Sequence, residues 1–574
     1  MSDTTDTEFK GVDNTDYIED IKALLSNYED GWDVFKKQKH WDDALIRKDK
    51  AKNDHTIPDT WLELVERVVG IVAKGKYNLD TYENLIEIIS ADQMLDAYAS
   101  HGMPASYDHW SFGMQRVMEE QQYKQGKKGL AYEIVVNTDP AIAYCMEANS
   151  PLMQMLVIAH ASFGHNNFFK KNHLFRQFTD AKTIVDDLRM MRDYIRECEE
   201  KYGYEEVEKL LDACHALELH AVHRYSKPKK KDPKELAERA KEKREERFST
   251  PRDSSIYDDI KGSRASSAFE AASKETEEAK KKAAKGFISA DNEENLLMYL
   301  ADNAPHLPEW KRRIMRMICH KAQYFYPQMQ TQVMNEGWAS FWHYTLLHDM
   351  RDLDLIDDGM MQEFLDSHAG VLFQPEFDSP YFSGQMNPYT LGFNIFQDIK
   401  RMCLEPTDED REWFPDIAGN PDWLGTMKEA MENFKDESFL LQYLSPKVIR
   451  DMRLFALEDD YTDSMYEINA IHDKEGYRRV REALASNKRL GDLVPYLEVD
   501  GFYAKTDRSL HIKHKMINEN FLDEGDTQEV LKHIYQIWEH PVFLETVGPD
   551  DEPWDEFSCP PNYEYQASAH EYKL

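Results

Sequence analysis

The chain has 574 residues, 41% of them hydrophobic, which is enough to fill cores and excludes wholesale disorder. Lys and Arg number 70 against 107 Asp and Glu; the net charge of −37 repels nucleic acid and anionic membrane surfaces and also fits a proteome adapted to high salt. Six cysteines with no C-x-x-C pair are too sparse for a disulfide framework and read as reduced thiols.

Met1–Asp20 is acidic and polar and has no apolar secretion-signal region. No run approaches the roughly 18 apolar residues of a membrane span. A cytoplasmic protein without membrane contact is therefore expected. Residues 1–54 read as a charged, partly helical extension with Leu24, Leu25, Trp32 and Phe35 available for docking. A helical core is expected over 55–226. Thr60–Gly75 carries a broad apolar face at helical spacing, and Tyr82–His101 repeats it up to the stop at Gly102-Met103-Pro104. Leu130–Asn137 reads as a short edge strand. Thr138-Asp139-Pro140 has the form of a helix start, which predicts a helix to about Asn149. Ser150-Pro151 opens the next helix, from Leu152 to about Lys171.

At Ser226 the composition turns basic and then rich in Ser, Ala, Lys and Glu, so 227–292 reads as a charged linker or insertion. Helical pattern resumes over 293–460, interrupted by the aromatic loop region 370–395. From 461 to 548 the order strand, helix, two strands, helix, strand predicts a small ferredoxin-like α+β domain, with 549–574 as a tail. The fold class is thus mainly α, with a C-terminal βαββαβ unit.

Two segments carry chemistry. In LVIAHASFGHNNFF, His160 and His165 lie in an apolar helix, where neutral imidazoles suit zinc or another divalent metal. Five residues of ideal helix rotate about 500°, leaving the two side chains about 140° apart. One inserted residue, as a π-bulge, places both on one face, and Gly164 eases that distortion. The other segment is Thr331–Met350, an all-round apolar helix with Glu336 in its middle. A buried Glu needs a cation or a metal. His343 stands seven residues on, about 10 Å along the axis, too far to share one ion with Glu336 and suited to substrate or to supporting a ligand. Trp338 and Trp342 read as packing.

His160, His165 and Glu336 form a His₂Glu set with a fourth position open, the ligand set of a catalytic zinc site. The helical domain thereby resembles gluzincin peptidases, and the His spacing resembles dipeptidyl peptidase III-type enzymes with H-E-x-x-x-H. Those enzymes carry their general-base Glu directly after the first His, where this chain has Ala161. Another group must then move the proton. Glu147 ahead of Ser150-Pro151, His215 from the cluster His215, His220 and His223, and His343 are the candidates, with Cys145 read as a structural thiol.

YEIVVNTDPAIAYCMEANSP, MLVIAHASFGHNNFFKKN, QTQVMNEGWASFWHYT, NPYTLGFNIFQDI and QYLSPKVIRDMRLFAL together resemble the SpoVR family, the stage V sporulation protein R-like proteins. The resemblance runs from about residue 20 to the end, the charged insertion apart. It places the family's His pair on His160 and His165 and its N-E-G-W-A motif on Asn335–Ala339. It implies a cytoplasmic prokaryotic protein tied to spore cortex formation or to stress responses. The partners it implies are a PrkA-type serine kinase and a von Willebrand-type protein. The residues leave three readings open: a zinc enzyme acting on an amide or peptide bond by hydrolysis or acyl transfer, a regulatory scaffold with a degenerate site, and a carboxylate-histidine iron site.

Overall fold

A computed structural model describes residues 16–52, 54–99, 103, 107–124, 133–224, 286–375, 386–454, 457–458, 467–468, 473–489, 494–517, 520–548 and 552–560. They divide into two compact units. The first runs to Glu208 and resumes at Gln323–Leu493; the second comprises Lys209–Ala322 and the chain from Val494 onward. Most of the expected 227–292 insertion lies outside the described residues.

The first unit is helical. Helix α1, Trp61–Tyr77, starts in a capping box in which Thr60 and Glu63 bond each other's backbone N–H, and it buries Trp61, Leu64, Val65, Val68 and Val69 as its periodicity predicts. The chain then departs from the helical expectation for Tyr82–His101. Asn84–Ile89 is strand β1, followed by a helix over Ala91–Ala99. The run NLIEII has three isoleucines, which favour extended backbone once a neighbouring strand is present. That neighbour is β3, Ala141–Met146, where the sequence had predicted a helix. The Thr138 hydroxyl does not cap a helix; it bonds Pro140 O and the Ile142 N–H and so shapes the turn into a buried, uniformly apolar strand. Strand β2, Glu133–Val136, lies where a strand was expected. The sheet order is β1-β3-β2, with β1 parallel and β2 antiparallel to β3.

Beyond the sheet, Pro151–Val157, Ile158–His165 and Asn166–Lys171 form one continuous helix, α2, capped by the Ser150 hydroxyl. Helix α3, Gln332–Asp352, is buried on nearly all sides and packs against α2 and α5. Helix α4 spans Asp358–Val371, α5 Pro388–Leu404 and α6 Asp436–Tyr443. The buried carboxyl of Asp436 accepts the N–H groups of Val333 and Met334, both at 2.9 Å, and so satisfies the first turn of α3. Gly337 and Gly392 let the α3 and α5 backbones touch, since a Cβ on either would overlap the other helix. Helix α7, Lys474–Ser486, was expected in the C-terminal domain but packs on α6 in the first unit.

The second unit is a mixed sheet with helices, and it is not ferredoxin-like. Two-residue strands β5 (Leu457–Glu458) and β6 (Glu467–Ile468) belong to the first unit and pair with each other, so among the described residues the first strand of the expected βαββαβ set does not join the sheet of the second. The five-stranded sheet has the order β10-β9-β8-β7-β4. It is built from β4 (Phe287–Glu293), β7 (Tyr496–Tyr503), β8 (Leu510–Lys515), β9 (Val542–Val547) and β10 (Pro553–Cys559). β4 comes from the end of the expected linker and β10 from the expected tail. Only β8 and β9 are parallel, joined through helix α8, Glu524–Trp538. Among the described residues, no helix is long and apolar enough to cross a membrane.

Candidate metal centre

The part of α2 that carries His160 and His165 is a π-helix, Ile158–His165, closed by the Asn166 N–H donating to Ala161 O. This is the inserted residue that the five-residue spacing required. It turns His160 and His165 to one side, their rings 4.6 Å apart between centroids. Gly164 makes room for α3: a Cβ there would stand 2.6 Å from Ala339 Cα. Glycine is thus needed for close approach as well as for the distortion.

Helix α3 brings Glu336 to both histidines. Its Oε2 lies 3.4 Å from His165 Nε2 and 3.9 Å from His160 Nε2. One ligand atom from each of the three residues falls within 4.8 Å of the others, and among the described residues no other group of three does so. Around a tetrahedral ion with bonds of about 2.0–2.1 Å, ligand atoms stand about 3.4 Å apart, so the three groups could hold one after drawing closer together. Glu336 Oε2 is buried and makes no well-formed hydrogen bond, with His165 Nε2 facing it at 3.4 Å, an arrangement that a cation would relieve.

The surroundings set the protonation states. Burial holds the His160 imidazole well below its usual pKa, with His165, His343 and His368 adding to the effect, so it is neutral and able to ligate. Burial acts in the same direction on His165, but the Glu336 carboxylate, helped by Asn335 and Glu133, outweighs it and raises that pKa. The Asn335 amide oxygen lies 2.9 Å from His165 Nδ1 and orients the ring. Behind His160 runs a chain of imidazoles: His160 Nδ1 is 2.8 Å from His343 Nδ1, and His343 Nε2 is 2.7 Å from His368 Nδ1. The spacing argument had kept His343 away from Glu336, and the structure places it beside His160, with both ring nitrogens engaged.

The other expected proton carriers fall elsewhere. Glu147 is exposed in the turn after β3, not at a helix end, and its carbonyl accepts the Trp41 indole N–H. His215 lies on the helix Tyr204–Ala216, in the part of the chain assigned to the second unit. Cys145 is buried in β3, its thiol pKa pushed up by burial. Trp338 and Trp342 are fully buried packing residues, Trp338 also donating to Asn167.

The residue that sequence reasoning missed is Glu133. It opens β2, and its Oε1 lies 3.7 Å from His160 Nε2. Burial, with a smaller contribution from Glu336, pushes its pKa up to about 7 against the opposing pull of His165. A Glu in an otherwise apolar edge-strand run, LAYEIVVN, was the available signal. Tyr389 from the NPYTLG segment stacks its ring 6.2 Å from that of His160. The Glu336 charge and burial keep its hydroxyl protonated, a donor close to the cluster. A cavity of about 490 Å³ adjoins the cluster, lined by Glu133, Ile134, Val135, His165, Glu336 and Tyr389 among others.

The SpoVR like protein family model matches residues 59–493, and the SpoVR-like C-terminal domain model matches 495–549. The chain belongs to the SpoVR family. It is 47% identical over 503 residues to a protein named "Uncharacterized protein YcgB" from Escherichia coli (strain K12), which covers 88% of this chain and 94% of that protein. No solved structure matches the chain. The junction between the two family models coincides with the step from the first unit to the second near 493. All the residues of the candidate centre lie within the first model.

Proposed function

We propose that this SpoVR protein is a metal-dependent enzyme, with zinc or another divalent ion, that acts on an amide or peptide bond by hydrolysis or acyl transfer. The observation that carries the reading is the convergence of two buried histidines and a carboxylate with a buried oxygen beside a cavity. His160, His165 and Glu336 would hold the metal, which when bound polarises a carbonyl and makes an attacking water or amine more acidic. Glu133 would be the catalytic residue that moves the proton. Burial raises its pKa to about 7 in the metal-free chain, and a cation held beside it would favour the carboxylate, which can take a proton from the attacking group and return it. It thus fills, from the neighbouring strand, the role left open by Ala161. Tyr389 offers a neutral hydroxyl to a developing negative charge. His343 and His368 fix the orientation and tautomer of His160: with Nε2 turned to the ligand position, Nδ1–H donates to His343 and His343 Nε2–H donates to His368.

The partners suggested by the resemblance, a PrkA-type serine kinase and a von Willebrand-type protein, and a role in sporulation or stress, are compatible with this chemistry. The rival reading, a regulatory scaffold with a degenerate site, is separated by paired variants. Glu133→Gln should keep the metal and lose turnover of peptide amides by about 10²-fold or more, whereas Glu336→Gln should lose the metal. A Glu133→Gln protein that remains fully active on an established substrate would remove Glu133 from the mechanism. Full metal loading with no turnover across peptide and amide substrates would favour the scaffold.

A further inference from the structure

We propose that the substrate of this centre is an extended polypeptide, bound by adding a strand to the outer edge of β2, which has no strand partner among the described residues. The inference rests on the metal-site reading above and names its substrate class. β2 is the terminal strand of the β1-β3-β2 sheet, so one side of its backbone pairs with β3 and the other has no strand partner among the described residues. Side chains alternate between the two faces of a strand. A cavity lying over one face would therefore meet every second residue. The cavity beside the metal centre is lined by three consecutive residues, Glu133, Ile134 and Val135, so more than one face of the strand contributes to its lining, as a cavity reaching the strand's edge would require. That edge begins at Glu133, whose carboxyl reaches His160. A chain laid along it would pass one of its own amide bonds over the cluster.

The lining also includes Gln328, Met329 and Gln332, neutral residues of which two bear side-chain amides that suit a peptide backbone. A volume of about 490 Å³ is in the range of sites that enclose a ligand of several residues' bulk. Edge pairing of this type draws affinity from main-chain hydrogen bonds and is tolerant of sequence.

The test uses the zinc-loaded full chain and two probes with one metal-binding group, acetohydroxamate and N-acetyl-tri-alanine hydroxamate, with binding measured by calorimetry. The peptide probe should bind at least about tenfold tighter, as one or two added ladder bonds predict. N-methylation of alternate amides of the probe should abolish the gain at one set of positions and spare the other, the signature of a two-residue strand period. Amides in Glu133–Val136 should gain protection from hydrogen exchange. Equal affinity of the two probes, or no positional pattern in the N-methyl series, would overturn the edge-strand inference and leave the metal site standing. Binding of neither probe would show that no accessible metal is held and would overturn both.

Discussion

Two histidine-rich groups lie one in each unit, and among the described residues only one brings three potential ligand atoms together. In the first unit, His160 and His165 share a face of a distorted helix and meet Glu336 from a second helix. In the second unit, His220 is buried with its pKa pushed down to about 3 by burial, Arg224 and His514, and its Nδ1 has no hydrogen-bond partner. His223 is partly exposed, 3.4 Å from Glu293. His215 is half-buried. No third ligand closes this second group among the described residues. The density of histidine in sequence is similar in both groups. What differs is convergence: Glu336 reaches both His160 and His165, whereas Glu293 meets His223 without forming a group of three with a second histidine among the described residues.

The sharpest way to break this comparison is to delete each pair. His160→Ala with His165→Ala should weaken zinc binding by about 10³-fold or more, since two ligands of a site worth about 10–16 kcal/mol are removed. His220→Ala with His223→Ala should leave metal content unchanged, and zinc titration of both proteins checks it. Acid should reveal the second group. The folded pKa of His220 lies below its unfolded value of about 6.5, so its contribution to stability is present above pH 6.5 and is lost as pH falls toward 3, by up to about 1.4 kcal/mol per pH unit. Urea denaturation across that range should show this slope in the wild type and a flatter one in His220→Gln. A smaller effect tests the distorted helix. Gly164→Ala places a Cβ against Ala339 and should cost about 2 kcal/mol while also weakening metal binding, because the same segment carries His165. The smallest concerns the imidazole chain. His368→Gln should weaken zinc binding about tenfold without unfolding the protein, and a cobalt-substituted spectrum that stays unchanged would remove His343 and His368 from the support of His160.

The centre was legible in sequence because its geometry is local. The His spacing of five demanded a π-turn, Gly164 permitted one, and a Glu in an all-round apolar helix demanded a cation. Glu133 was not legible, because its role depends on β2 lying alongside α2, a long-range fact that one short strand does not announce. For the same reason β1 and β3 read as helices: NLIEII and AIAYCM are short apolar runs, and only mutual pairing selects the extended form. The ferredoxin-like expectation failed on topology. The order of elements after Tyr496 was right, but the sheet also recruits β4, about 200 residues earlier in the chain, and β10 from what read as a tail.

The most direct test of the metal centre is elemental analysis of the full chain, purified without a histidine tag, beside Glu336→Gln and the His160→Ala/His165→Ala pair. The expected result is close to one zinc or other divalent ion per wild-type chain, reduced in Glu336→Gln and absent from the double variant while all three remain folded. A wild-type protein that holds no metal after reconstitution, or variants that hold as much as the wild type, would contradict the assignment of these three residues.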